Sequence, residues 1–370
     1  MNIAINARLL HSDHIEGMGR FIYETTVALA SMNPDDNFIL FYDRQIKSKL
    51  AFPANVNKII VPLPTRHPIL WHTWFEVLIP YYLKKYKINV FLSGDGYLSL
   101  RTSVPTILVT HDLAYLYYPE HIQWLALQDY KYFTPKYHRK AAHIITVSDY
   151  VRQDIIHNMN VPADKVSVAY NALKSLNIQI SEDFNLPHIK KGNYFIYVGS
   201  LHPRKNIINL IDGFLKFNHS NDNKYQLVLA GRLAWKADMI KDKINSSPNV
   251  NHVGLVSESE KYMLLHHSIA LIYVSFFEGF GIPLLEAMYA QTAIITSNCT
   301  SMPEVGGDAA IYVDPNDINT IASAMQKLII DKELRLNLIA KGNQRLKDFQ
   351  WSESAKIIYS VIKTAFDNNK

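Results

Sequence analysis

The sequence has a single cysteine, Cys299, among 370 residues. One thiol closes no internal disulfide and builds no cysteine metal cluster, which suits a reducing cytosol. Long apolar runs are also missing: none approaches the roughly 20 residues that a helix needs to cross a bilayer. Residues Met1 to Arg8 read as a strand and lack a cationic segment followed by an apolar one, so no secretory leader is expected. Charge is sparse and even, at 19% of residues with a formal net charge of +5. Residues 1–172 carry 17 Lys/Arg against 14 Asp/Glu, and the remainder 21 against 19. No basic face is concentrated anywhere, which argues against a nucleic-acid partner. Internal repeats and low-complexity tracts are absent. The expectation is a soluble, cytoplasmic protein.

What the chain does have is 48% hydrophobic residues and enough length for two domains of similar size. Short apolar runs alternate with helix-length amphipathic stretches from end to end, the pattern of parallel sheets with crossover helices. Strands are expected at residues 2–10, 38–42, 58–63, 89–92, 106–110, 143–147 and 166–170 in the first half. In the second half they fall at 194–198, 226–230, 251–253, 270–274, 293–296 and 311–313. Polar residues with Pro187 and Gly192 interrupt the rhythm between residues 174 and 193, where a linker is placed. Residues 1–173 form one Rossmann-like α/β domain and 194–350 a second, with a cleft between them. Residues 351–366 are helical in period, with Ser352 as a candidate cap at the start.

In open parallel sheets, ligands bind beyond the carboxyl ends of the strands. The residues at those ends are Thr110-His111-Asp112, Ser148 and Asn171, then Gly199-Ser200, Gly231-Arg232, Gly254-Leu255, Glu278-Gly279 and Ser297-Asn298. The strongest local signal is Phe276-Phe-Glu278-Gly-Phe-Gly-Ile-Pro-Leu-Leu-Glu286. A strand runs into a loop holding Gly279, Phe280 and Gly281, and Ile282 with Pro283 opens a helix, where Pro is well placed. Free N–H groups at such a helix start suit a phosphate. Glu278 and Glu286 frame it, and an ionised carboxylate can accept hydrogen bonds from the vicinal hydroxyls of a ribose or hexose. The plain alternative is a turn residue and a solvated helix residue.

Those two glutamates form an E-x7-E pattern around Gly-Phe-Gly-Ile-Pro that resembles the donor site of retaining glycosyltransferase family four. Tyr197-Val-Gly199-Ser200-Leu-His-Pro-Arg204-Lys205-Asn206 is similar to that family's diphosphate segment. Ala309-Ala-Ile-Tyr-Val-Asp314-Pro, Ile145-Thr-Val-Ser148 and Gly17-Met-Gly19-Arg20 fit as well. The resemblance spans nearly the whole chain and is weakest over residues 44–104. It implies the α/β GT-B fold, with two facing Rossmann-like domains, the donor mostly on the C-terminal one and the acceptor on the N-terminal one. It also implies a final helix, residues 351–370, crossing back to the first domain. Transfer with retention at the anomeric carbon and no essential metal follow from it too.

The resemblance supplies roles. Glu286 would hold the nucleotide ribose and Glu278 the hydroxyls of the transferred sugar. His111 would approach that sugar from the first domain, and Gly17 and Gly19 would form a loop closing over the diphosphate. Gly199, Ser200, Gly231 and the segment at Val256 would line the rest of the donor site. Breaking a sugar–phosphate bond leaves negative charge on the departing diphosphate, which needs a divalent ion or fixed cations. No Asp-x-Asp occurs in the chain, and Arg204 with Lys205 can supply the charge directly. No cofactor is expected, the nucleotide sugar being a co-substrate.

Other features read more plainly. His11 and His14, with Asp13 or Glu16, make a weak metal set in a loop. Ser301-Met-Pro-Glu304 reads as a capping box. The aromatic and lysine-rich stretch Trp71 to Lys87 reads as a helix packed on the first sheet, since Pro80 breaks its face. A peripheral membrane contact through it is the alternative. The expected reaction is hexosyl transfer from a nucleotide sugar to a glycan or lipid-linked saccharide. Its motifs look closest to bacterial mannosyltransferases of surface-polysaccharide assembly, with GDP-mannose the favoured donor. A nucleotide-sugar epimerase of the same fold and a non-catalytic nucleotide-sugar binder are the competing classes.

Overall fold

The computed structural model describes residues 1–369 except 14, 16, 66, 175–188 and 235–236. It divides into two compact units, Met1–Asn171 with Gln350–Lys370, and Ala172–Phe349. Most of the expected linker, and His14 and Glu16 of the weak metal set, lie outside the described residues. His11 Nδ1 is bonded to the Arg8 carbonyl, and Asp13 accepts the Lys49 N–H.

The first unit is built on seven strands: β1 (Asn2–Asn6), β2 (Asn37–Tyr42), β3 (Val56–Ile60), β4 (Val90–Ser93), β5 (Thr106–Thr110), β6 (His143–Thr146) and β7 (Val166–Val168). All pairings are parallel, in the order β3-β2-β1-β4-β5-β6-β7. β4, β5 and most of β2 are buried throughout and apolar except for Ser93, Thr106 and Thr110 at strand ends, as strands covered on both faces tend to be. β1 stops at Asn6, four residues short of the expected end, because Ala7 to Leu10 closes a turn in which the Leu10 N–H donates to the Ala7 carbonyl.

The helix expected around residues 71–87 is present, with Pro80 inside it. Pro68–Thr73, a wider π-helical turn Trp74–Leu78, and Ile79–Lys85 run on in succession, the Ile79 N–H reaching back to the Trp74 carbonyl. A π turn is one way the chain absorbs such a disruption. Trp74, Phe75, Ile79 and Leu83 go into the core, while Ile69, Val77 and Tyr81 stay exposed. At the last helix, Trp351–Asp367, the capping position is held by Gln350 and no side chain caps it. Ser352 lies one residue inside, too late to cap. This helix belongs to the first unit: Ser354 donates to the Tyr170 carbonyl at 2.6 Å, Tyr359 to Asp36 at 2.7 Å, and Trp351 meets Phe21 edge-on at 5.8 Å.

The second unit carries β8 (Tyr194–Val198), β9 (Gln226–Ala230), β10 (Val250–Gly254), β11 (Ala270–Tyr273), β12 (Ala293–Ser297) and β13 (Ala310–Val313), also parallel. Their order is β10-β9-β8-β11-β12-β13. In each sheet the strand order reverses direction once, between β1 and β4 and between β8 and β11. Connections leave such neighbouring strands toward opposite sides, which opens a crevice at their carboxyl ends.

Candidate functional site

At the β8/β11 reversal of the second unit the chain brings its charged motifs together. β8 ends at Val198, Gly199 follows it, and a short 3-10 turn, Pro203–Lys205, leads into the helix Ile207–His219. β11 ends at Tyr273 and runs into the Glu278 loop. The Lys205 ammonium lies 2.5 Å from Glu278 Oε1 and donates to the Tyr273 hydroxyl at 3.0 Å, while that hydroxyl donates to the same Glu278 oxygen at 2.9 Å. Arg204 donates to the Phe277 carbonyl at 2.9 Å, and its own carbonyl accepts the Phe276 N–H. Asn206, at φ +59°, anchors the turn through the Val274 and Pro315 carbonyls.

Burial decides the ionisation here. Burial alone would push the Glu278 carboxyl up, but Lys205 and Arg204 together hold it below its ordinary value, so it stays an acceptor. The Tyr273 and Tyr197 hydroxyls are driven well above theirs, chiefly by burial and then by the Glu278 charge, and stay protonated donors. Tyr273, stacked on Tyr197 at 5.7 Å, was not singled out from the sequence; its alternating place on a buried strand gives no sign of a polar role.

The Glu278 loop is fastened from behind. Ser301 Oγ donates to the carbonyls of Glu278 and Phe280, both at 3.0 Å, and Thr300 Oγ1 accepts the Glu278 N–H. Ser301 is therefore no capping box: its hydroxyl makes no cap bond to its own helix, because the loop in front takes it. Gly281, at φ +107°, turns the chain into the helix Ile282–Tyr289, with Pro283 in its first turn. Gly279 and Phe280 are buried in this loop. Glu286, one turn into the helix, is bound by the Lys261 ammonium at 2.5 Å.

The glycine-bearing strand ends interlock. A Cβ on Gly231, at φ +146°, would lie 1.9 Å from the Gly199 carbonyl oxygen, so the β8 and β9 ends meet backbone to backbone. The Gly231 N–H donates to the Gly254 carbonyl at 2.7 Å, and Tyr197 donates to the Ser200 carbonyl. Past Gly254, Leu255 is exposed and Val256 half-buried, a shelf beside these loops.

In the first unit, Gly17 and Gly19 do not form a loop. They open the helix Gly17–Met32, since only Gly17 needs a positive φ and the next residues already take helical bonds. His111, just past β5, lies beside the β1/β4 reversal. Its Nε2 is 2.9 Å from the Gly94 carbonyl, which can only accept, so Nε2 carries the proton and Nδ1 the lone pair. Burial lowers its pKa, and Phe21 meets the ring edge-on at 5.3 Å. Ser148 caps the helix Asp149–Met159.

Comparison with known proteins accords with this arrangement. The family model described as Glycosyltransferase Family 4 matches residues 15–174, and that described as Glycosyl transferases group 1 matches residues 179–345. O-antigen chain mannosyltransferase B of Escherichia coli is 28% identical over 359 residues, spanning 91% of this chain and 93% of that protein. O-antigen chain mannosyltransferase RfbU of Salmonella typhimurium is 31% identical over 226 residues, 60% of each chain. Among solved structures, sucrose-phosphate synthase from Thermosynechococcus elongatus superposes with a TM-score of 0.78 at 16% identity, over 99% of both chains. WaaG, a glycosyltransferase involved in lipopolysaccharide biosynthesis, gives 0.72 at 14%, over 98% of this chain and 99% of that one.

Proposed function

We propose that the chain is a glycosyltransferase of the GT-B type, a retaining, metal-independent member of family four that transfers mannose from GDP-mannose. The acceptor is a hydroxyl of a glycan or lipid-linked saccharide in surface-polysaccharide synthesis. The observation that supports this reading best is the buried Lys205–Glu278–Tyr273 cluster beside Arg204 at the β8/β11 reversal. The likeness to O-antigen mannosyltransferase B over nearly its full length favours mannose.

The chemistry follows from the side chains. As the sugar–phosphate bond breaks, Arg204 and Lys205 stabilise the growing charge on the diphosphate, which is why no divalent ion is required. The N–H groups from Gly279 to Ile282, at the helix start, add a fixed dipole. Ionised Glu278 accepts the hydroxyls of the transferred sugar and orients it. Glu286 holds the ribose; Gly199, Ser200, Gly231 and Val256 line the nucleotide. The first unit contributes the helix start at Gly17 and Gly19, and His111, whose neutral ring offers Nδ1 to a sugar hydroxyl. The nucleotide sugar is consumed as a co-substrate.

The proposed setting is the cytoplasm; a peripheral contact with the inner face of the membrane would form through Ile69, Val77 and Tyr81 beside Lys84 and Lys85, the exposed side of the helix that packs on the first sheet. Among the described residues no helix is long and apolar enough to cross a bilayer.

A thermal-shift panel of GDP-, UDP-, ADP- and dTDP-sugars tests the donor, because a ligand that favours the native state raises Tm. GDP-mannose should give the largest rise. A larger rise with a UDP-sugar would exclude GDP-mannose, and no rise with any of the four would remove the donor site altogether.

A further inference from the structure

Glu286 is one end of a chain of alternating charges. Lys261, on the helix Glu258–His266, holds Glu286 Oε1 at 2.5 Å and Glu258 Oε1 at 3.0 Å. The other oxygen of Glu258 is held at 2.7 Å by Lys174, which lies three residues beyond the end of the first unit's main segment at Asn171. The series is thus Lys174, Glu258, Lys261, Glu286, and its inner pair is more buried than its outer pair. Side-chain exposure is 30% and 47% at the outer two and 14% and 13% at the inner two.

A carboxylate this buried is costly unless a cation and hydrogen bonds meet it. Lys261 is that cation, and its own pKa is raised: burial lowers it, and Glu286 followed by Glu258 more than compensate. The bond also selects which oxygen is engaged. With Oε1 taken by Lys261, Oε2 is left for a ligand hydroxyl, and the ammonium still has one N–H beyond those used by the two glutamates. Its Nζ also lies over the Tyr262 ring, 5.0 Å from the centroid, a cation–π contact that adds to the two ion pairs. Lys261 falls outside every motif of the donor site, and the charge at its position has no sequence signature.

We propose that Lys261 is a positioning residue for the nucleotide ribose: it fixes the Glu286 carboxylate in the orientation that accepts the 2′- and 3′-hydroxyls, and Glu258 holds Lys261 in place. The proposal rests on the assignment of Glu286 to the ribose. It makes the effect of Lys261 specific to ligands that carry ribose hydroxyls, which a merely structural lysine would not be.

Calorimetric titration with GDP and with 2′,3′-dideoxy-GDP tests it, using UDP and its dideoxy analogue instead if the wild-type protein binds UDP more tightly. Lys261→Met should weaken the ribose-containing nucleotide about ten-fold and leave the dideoxy analogue within about two-fold. In turnover the same variant should raise the donor KM with kcat nearly unchanged. Lys261→Arg should restore most of the loss. Glu258→Gln, at the more exposed end and so no threat to folding, should reproduce a two- to three-fold part of it. Equal weakening of both nucleotides by Lys261→Met, or none of either, overturns the proposal, as does an unaltered Glu258→Gln. Glu286→Gln separates the two levels. If it leaves the preference for ribose over dideoxyribose intact, the assignment of Glu286 fails. If it abolishes that preference while Lys261→Met does not, only the role of Lys261 fails. Binding of neither GDP nor UDP to the wild-type protein overturns both.

Discussion

Lys205 and Glu278, separated by 73 residues in sequence, share a 2.5 Å ion pair with the Tyr273 hydroxyl bonded to both. Each charge is met within the protein. Lys205 and Arg204 keep Glu278 ionised despite its burial, and Lys205 is the cation proposed to meet the diphosphate.

Replacing that cation should therefore damage chemistry more than binding. Lys205→Ala should lower kcat by roughly 10²–10³, the scale of losing one charge stabiliser in a transition state. Arg204→Ala should act similarly. Steady-state kinetics decide the matter: normal kcat with only a modest rise in donor KM would place both residues outside the reaction centre.

The two glutamates should separate. Glu286→Ala removes binding that changes little during reaction, so nucleoside diphosphate affinity should fall by about 1.5–3 kcal/mol and donor KM should rise. Glu278→Ala should leave that affinity nearly intact and depress kcat, since orientation of the reacting sugar suffers. Calorimetry on both variants reads the difference, and the opposite pattern would reverse the assignments.

Activity should survive EDTA, because fixed cations meet the leaving group. Loss of turnover in chelator, restored by magnesium or manganese, would count decisively against the mechanism.

Gly231→Ala should be severely destabilising. Its Cβ would sit 1.9 Å from a backbone oxygen that no side-chain rotation can move, at a φ of +146°. A loss of roughly 3 kcal/mol or more is expected from strain and clash together. Gly254→Ala is the control: its φ is +71° but nothing lies within 4 Å of the added carbon. It should cost only about 1 kcal/mol. Comparable urea midpoints for the two variants would contradict the interlocked loops.

His138 should make the protein acid-sensitive. It is fully buried with Nδ1 at 2.7 Å from the Thr134 carbonyl and Nε2 at 3.0 Å from Thr110 Oγ1, immediately before His111. Burial lowers its pKa from 6.5 to about 4. A depressed folded pKa means that the folded state favours the neutral ring. The contribution is complete above pH 6.5 and is lost as pH falls from there to about 4, up to about 3 kcal/mol in all. His138→Gln should flatten the fall in Tm between pH 7.5 and 4.5; an unchanged slope would remove His138 as its source.

Much of this was readable in the chain itself. The strands follow from short apolar runs, since a parallel strand covered on both faces tends to be apolar throughout. The Glu278–Glu286 spacing lies within one loop and one helical turn, so its meaning is local. Local pattern misjudged what neighbours decide. Ser301 reads as a cap until the carbonyls of Glu278 and Phe280 take its hydroxyl. The helix around Pro80 was legible, but the π turn that precedes the proline was not.

By itself, then, the sequence determined which segments form strands and helices and which strand ends carry Gly, Arg, Lys and Glu, because backbone preference and hydrophobic period act over a few residues. Only the tertiary structure decided that Lys205 meets Glu278, that Tyr273 joins them, and that Lys261 holds Glu286. Those pairings depend on sheet order and burial. An ion pair closed across 73 residues, or across the 25 between Lys261 and Glu286, leaves no periodic trace in the chain.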